Sequence, residues 1–153
     1  MSCIFFFRWD LHSRGGVSNY LDILTAGIQK KGVDVISVPN VDIHRISKIR
    51  YIFVIFTTFL NYKQLLKKYK PHAVQFHPSF DRVWFFRDIL FLLMTPNKLK
   101  IIFFRGWREE LFNEVIKINI LRSILARVIN GASRIFVLSE VVFKSLKKIG
   151  IKS

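Results

Sequence analysis

The sequence predicts an α/β fold built on a doubly wound parallel sheet, and three observations carry that expectation. Short apolar runs alternate along the chain with longer amphipathic segments, the order that crossover connections require. The apolar runs are continuous instead of alternating with polar residues, as they are when a sheet is covered on both faces. Glycine and proline stand at the joints: Gly32, Pro39, Pro71, Pro96 and Gly150. With 153 residues, 51% of them apolar and sixteen of them Phe, the chain has the material for one domain over 1–153 with a real core.

Each element has its own signal. Residues 2–7 read as the first strand, because Cys3-Ile4-Phe5-Phe6-Phe7 is apolar throughout. Val17, Leu21, Leu24 and Ile28 then recur at helical spacing, and Gly32 is a natural stop. Residues 33–38 form a second strand, closed by Pro39-Asn40. A long helix is expected over 47–70, ended by Pro71, and a third strand over 73–76. Residues 81–94 read as a helix that stops before Pro96, and 100–104 as the fourth strand. One helix is expected over 114–130, with Ile118, Leu121, Leu125 and Val128 along one face. Residues 134–138 form the fifth strand, and Ser139 can cap a last helix that ends at Gly150.

Lys and Arg number 25 against 10 Asp and Glu, a net charge of +15. Such a surface attracts phosphate from any source, whether nucleic acid, anionic lipid or a nucleotide, and charge alone does not rank the three. The chain carries no recognition-helix or RNA-binding motif, so no nucleic acid is expected. Cys3 is the only cysteine, which excludes an internal disulfide and a cysteine zinc cluster and reads as a small buried hydrophobe. His12, His44, His72 and His77 show no ligand spacing, and no metal is expected. The opening apolar run lacks a basic lead and ends in Arg8-Trp9-Asp10, unlike a signal peptide. The apolar run 51–60 is well short of the ~20 residues that span a bilayer. The expected location is cytoplasmic, with peripheral attachment to the inner face of a membrane as a further option.

In open parallel sheets ligands bind beyond the carboxyl ends of the strands. The residues that follow the strands are therefore the informative ones: Arg8 to Gly16 after the first, His77 to Ser79 after the third, Arg105 to Arg108 after the fourth, and Ser139 and Glu140 after the fifth. Gly15-Gly16 can be a bare turn or a seat for a phosphate at a helix N-terminus. It matches neither Gly-x-Gly-x-x-Gly nor Gly-x-x-x-x-Gly-Lys-Ser/Thr, and for an isolated pair the turn is the commoner outcome. His77 can face a ligand or simply close the rim. Arg105, between Phe104 and Gly106, must reach solvent, an anion or a carboxylate such as Glu109 or Glu110. Lys63 and Lys67 share a helix face, with Lys68 and Lys70 beside them, after the bulky apolar run 51–60. That segment can be a core helix with a solvated end or a helix lying on an anionic membrane. No paired carboxylates and no Gly-x-Ser-x-Gly stand out as catalytic apparatus, and Glu109-Glu110 suits the start of a helix.

Several stretches resemble a known family. Trp9-Asp10, Arg14-Gly15-Gly16-Val17-Ser18-Asn19-Tyr20 and Gly32-Val33-Asp34-Val35 are similar to the opening of retaining GT-B glycosyltransferases of family 4, although Asp34 departs from the His of that pattern. Pro71-His72-Ala73-Val74-Gln75-Phe76-His77 resembles the family's "Pro-Asp-Val-Val-His-x-His" strand. The stretch from Gly131 to Glu140, with Leu146 and Gly150-Ile151, resembles its "Ala-Asp-x-Ile-x-x-x-Ser-Glu … Leu … Gly-Val" segment.

The resemblance implies the Rossmann-like, N-terminal, acceptor-side half of a GT-B architecture, without the donor-binding domain and its Glu-x7-Glu motif. It implies transfer of a sugar from a nucleotide sugar to a hydroxyl of a glycan or lipid-linked acceptor. It implies no metal or cofactor beyond the donor, and no activity for this chain without the second domain, which a separate chain can supply. Gly15 and Gly16 would be the donor diphosphate loop. Asp10, Arg14, His77, Arg105, Gly106, Ser139 and Glu140 would form the cleft rim. Arg105 falls where many members have a His, and a guanidinium cannot replace a neutral imidazole as acceptor or base.

Overall fold

The computed structural model describes residues 3–8, 16–39, 48–78, 82–104 and 106–151. The strands are β1 (Cys3–Arg8), β2 (Asp34–Pro39), β3 (Ala73–Phe76), β4 (Lys100–Phe104) and β5 (Arg134–Val137). The helices are α1 (Gly16–Gln29), α2 (Lys48–Tyr69), α3 (Arg82–Met94), α4 (Glu109–Lys117), α5 (Asn119–Asn130) and α6 (Glu140–Lys148). The strands form one all-parallel sheet in the order β2-β1-β3-β4-β5, so the doubly wound α/β fold expected from the alternation is present. The chain divides into two compact units, Met1–Val74 and Gln75–Ser153.

In the first unit β1 pairs with β2 in register, Phe5 opposite Ile36 and Arg8 opposite Pro39. Pro39 is tolerated because β2 is an edge strand, where a missing N–H breaks no ladder on the outer side. Phe5 and Phe6 are both buried, with Leu21 of α1, Val38 of β2 and Tyr62 of α2. The Phe5 ring meets Tyr69 edge-on at 6.0 Å. Cys3 is buried as expected, and burial, helped by Asp34 opposite it in the ladder, pushes its thiol up. The backbone N–H of His72 donates to the Cys3 carbonyl at 2.8 Å, and the Cys3 N–H donates to His72 Nδ1 at 3.4 Å.

In the second unit β4 pairs with β5, Phe103 opposite Phe136. Phe76, Ile102 and Phe104 are buried strand residues, and Phe91, Leu92, Phe112, Val115, Leu125, Val128 and Ile129 are buried helix residues. The expectation of one helix over 114–130 is corrected. The helical stretch begins earlier, at Glu109, and breaks at Ile118, whose backbone is extended (φ −89, ψ 106). The cause is phase. Phe112 and Val115 in α4 and Leu125, Val128 and Ile129 in α5 would lie roughly a third of a turn apart on one straight helix. Breaking the helix lets both stripes turn inward. Ile118, expected on the buried face, is instead 53% exposed.

A second correction concerns cover. The apolar strands were expected to be covered on both faces, yet Phe136 in β5 is 48% exposed and Leu138, just past the strand, 67%. β5 is the other edge strand, with a sheet neighbour on one side only.

Helix ends follow the local chemistry. α6 closes with the Gly150 N–H on the Lys147 carbonyl and the Ile151 N–H on the Leu146 carbonyl, at 3.0 and 3.4 Å. This is the Schellman pattern, with Gly150 in the left-handed region (φ 78) and Ile151 and Leu146 both buried. α2 ends with Lys70 in the same region (φ 43), a conformation a side chain disfavours, immediately before Pro71. A Cβ at Gly150 would meet nothing within 4 Å, so the strain there is purely backbone. Gly150→Ala is therefore expected to lower stability by about 1 kcal/mol, and Lys70→Gly to raise it by about 0.5–1 kcal/mol, in urea unfolding.

Lys100 opens β4 with its residue almost wholly buried, its ammonium donating to Asn97 Oδ1 at 2.8 Å. Burial pulls its pKa down, so the charged form is penalised in the folded state. The unfolded chain thus binds more protons between the folded value and the ordinary lysine value, and this group's contribution to stability rises with pH there. Lys100→Met is expected to be the more stable protein at neutral pH, its advantage shrinking as pH approaches the ordinary lysine range. Urea unfolding at both pH values measures this, and an advantage that does not change with pH would refute it.

Candidate functional site

The rim residues that the structure describes fall into separate settings. After β1, Asp10, Arg14 and Gly15 lie outside the described residues. Gly16 is the first residue of α1, where the chain enters the helix. The first turn of α1 carries no acidic side chain, leaving the positive end of its dipole uncompensated from within the helix.

His77 directly follows β3 and is only 4% exposed. Gln75, two residues earlier and therefore on the same face of the strand, is buried too. The two side chains meet at 3.2 Å between Gln75 Nε2 and His77 Nε2. The imidazole lies 5.8 Å from the Phe103 ring, which in turn stacks on Phe136 at 5.7 Å. Three adjacent strands thus carry a row of rings, His77, Phe103 and Phe136, that runs from buried to half-exposed.

After β4, Arg105 lies outside the described residues, while Gly106 and Trp107 are half-buried. Trp107 packs edge-on against Phe104 at 5.9 Å and against Phe112 at 4.8 Å, so it anchors the start of α4 to the strand. Arg108 precedes α4 and makes no side-chain cap, and Glu109 and Glu110 occupy its first turn, where the dipole favours them.

Ser139 and Glu140 have clear local work. Ser139 Oγ accepts the Val142 N–H at 3.3 Å and caps α6, as its place in the sequence predicts. Glu140 forms an exposed i,i+4 ion pair with Lys144 at 2.9 Å. A cleft of about 380 Å³ runs along β5 beneath α6, lined by Arg134, Ile135, Val137, Phe143, Leu146 and Ile151. Its lining runs the length of β5, from Arg134 to Val137.

Sequence reasoning missed Gln75 and the aromatic row. The signal for Gln75 was its i,i+2 spacing from His77, which puts both on one strand face. It also missed the Arg87–Asp88 pair on α3. There the buried Arg87 guanidinium donates from Nε to Asp88 Oδ1 at 2.9 Å, and from Nη2 to the same oxygen, so the buried charge is neutralised by its neighbour. Among the described residues no group of three or more His, Cys, Asp or Glu could hold a metal ion.

Compared with protein-family models, curated proteins and solved structures, the chain matches none of them.

The capping geometry separates a structural Ser139 from a ligand-facing one. Ser139→Ala is expected to cost about 1 kcal/mol of stability, and Ser139→Asp, which can accept the same N–H, to retain it. Equal losses in thermal or urea unfolding would contradict the cap.

Proposed function

We propose that this chain is the acceptor-side, Rossmann-like half of a retaining glycosyltransferase that moves a sugar from a nucleotide sugar to a hydroxyl of a glycan or lipid-linked acceptor. The observation that carries the reading is the junction after β1. After the parallel strand β1 ends at Arg8, the chain enters α1 at Gly16, whose first turn carries no carboxylate. Free backbone N–H groups and an uncompensated helix dipole suit a diphosphate, and charge developing on a leaving nucleotide diphosphate is what such donors stabilise. The order of the sequence stretches that resemble the family adds support, as does the sheet that connects them.

On this reading the chain supplies the diphosphate loop and the acceptor-side rim, including His77. The donor-binding Glu-x7-Glu pair has no counterpart in it: the glutamates are Glu109, Glu110, Glu114 and Glu140, and no two have that spacing. The sugar and most of the nucleotide would be held by a second domain, in the same polypeptide or in another. The 153-residue chain alone is then a weak diphosphate binder that turns over no nucleotide sugar.

The test is phosphorus NMR titration of uridine and guanosine diphosphates with the purified chain. Broadening of the diphosphate resonances is expected, with affinity falling roughly tenfold, or about 1.4 kcal/mol, in Gly15→Val/Gly16→Val. Absence of binding, binding indifferent to the glycines, or nucleotide-sugar turnover by the isolated chain would each overturn the reading as stated.

A further inference from the structure

Among the described residues of the first unit, the exposed large apolar side chains cluster on α2. Ile52 and Phe53 are each 68% exposed, Phe56 is 56% exposed and Leu60 is 43% exposed. At 100° per residue these four side chains, together with Lys63 and Lys67, fall within one stripe about 100° wide. The stripe runs about 22 Å along the helix at 1.5 Å per residue, apolar in its first two-thirds and cationic at its end. Tyr62, off the stripe, is fully buried and holds the opposite side of the helix in the core. Lys68 lies off the stripe with its ammonium 5.1 Å from the Tyr69 ring, and Lys70 sits past the helix end.

Exposed Ile, Phe and Leu in one continuous strip are unusual on a surface that faces only water. The charges around the strip say what covers it. α2 contains Lys48, Arg50, Lys63, Lys67 and Lys68 and no Asp or Glu at all. Among the described residues no helix is long and apolar enough to cross a membrane, so α2 can lie on a bilayer but not span it.

We propose that the Ile52–Phe53–Phe56–Leu60 face of α2, with Lys63 and Lys67, docks this chain on an anionic lipid bilayer. The helix lies in the interface plane. Phe53 and Phe56 enter the acyl boundary, and the two lysines extend their stems along the same face so that their ammonium groups reach lipid phosphates. The surface stands independently of the glycosyltransferase reading. It would give a chain with that activity a way to meet a lipid-linked acceptor.

The test is co-sedimentation of the intact chain with vesicles of phosphatidylcholine alone and of phosphatidylcholine with one quarter phosphatidylglycerol, without any nucleotide sugar. Binding is expected only to the anionic vesicles. Lys63→Gln/Lys67→Gln should reduce the partition coefficient by roughly fivefold per charge removed. Phe53→Ser/Phe56→Ser should reduce it at least tenfold. Both pairs are exposed positions or helix-surface lysines, and unchanged far-UV circular dichroism confirms that the variants are folded. Lys144→Gln/Lys148→Gln on α6 removes the same charge elsewhere and is expected to leave binding within twofold.

Equal binding to neutral vesicles overturns the electrostatic part of the proposal. A loss shared equally by the α6 variant, or none in the Phe variant, reduces the effect to net charge and overturns the docking face. Binding to polyglutamate without binding to anionic vesicles transfers the surface to an acidic protein partner and overturns it too. Because no sugar donor is present, none of these outcomes bears on whether the Gly15-Gly16 loop binds a diphosphate.

Discussion

Phe5 and Phe6 are neighbours in β1, so their side chains point to opposite faces of the sheet, and both are buried. That pair expresses the constraint on which the rest of the fold depends. A parallel strand returns to the same edge of the sheet only through a crossover, and the crossovers pack helices over its faces. The strand can then be apolar on both sides. The same crossovers deliver every strand's carboxyl end to one edge, where loops lead into helix N-termini. Polar residues gather at that edge because the strands themselves have no room for them. Gly16 entering α1, His77 after β3 and Ser139 opening α6 are three consequences of one topological rule.

Where cover runs thin, the chain handles its polar and aromatic groups one by one. Burying an amide or imidazole without a partner costs several times what an average hydrogen bond contributes. Gln75 and His77 lower this cost where their Nε2 atoms meet, and Arg87 does so by bonding to Asp88 beside it in sequence. The His77 ring, just past the end of β3, is backed by Phe103. The row ends at Phe136, half in water on an edge strand, where only one sheet neighbour remains to shield it.

The sequence was most legible where punctuation and period agreed. β3 and β4 were readable to the residue, since Pro71 and Pro96 mark their approaches and every strand position within is compatible with burial. The α4–α5 break was not readable from the pattern of residues 114–130 alone. Ile118, Leu121, Leu125 and Val128 satisfy a helical period, and the conflict appears only when Phe112 and Val115 are included in the same helix. At the rim, sequence alone could place His77, Ser139 and Gly16 but not tell a cap from a contact. Ser139 proved to be a cap, and Trp107 proved to be a packing anchor between Phe104 and Phe112. Gln75 escaped notice because one polar residue in a short apolar run carries no period of its own. Periodicity also cannot tell which face of an apolar helix points inward, so the open side of α2 had to come from the structure.

The contrast between α2 and the α4–α5 pair bears on what an exposed apolar face means in this chain. In the second unit the backbone gives up a continuous helix at Ile118, so that two stripes one-third of a turn apart can both be buried. Hiding apolar surface there outweighed helical continuity. α2 has 22 residues and makes no such break, although Ile52, Phe53 and Phe56 all remain more than half exposed. A polar substitution at any of the three would leave the buried Tyr62 side untouched, so folding does not explain why these side chains are large and apolar. They lie on a single face of a helix without one carboxylate, and the core they do not join gives no reason for their size.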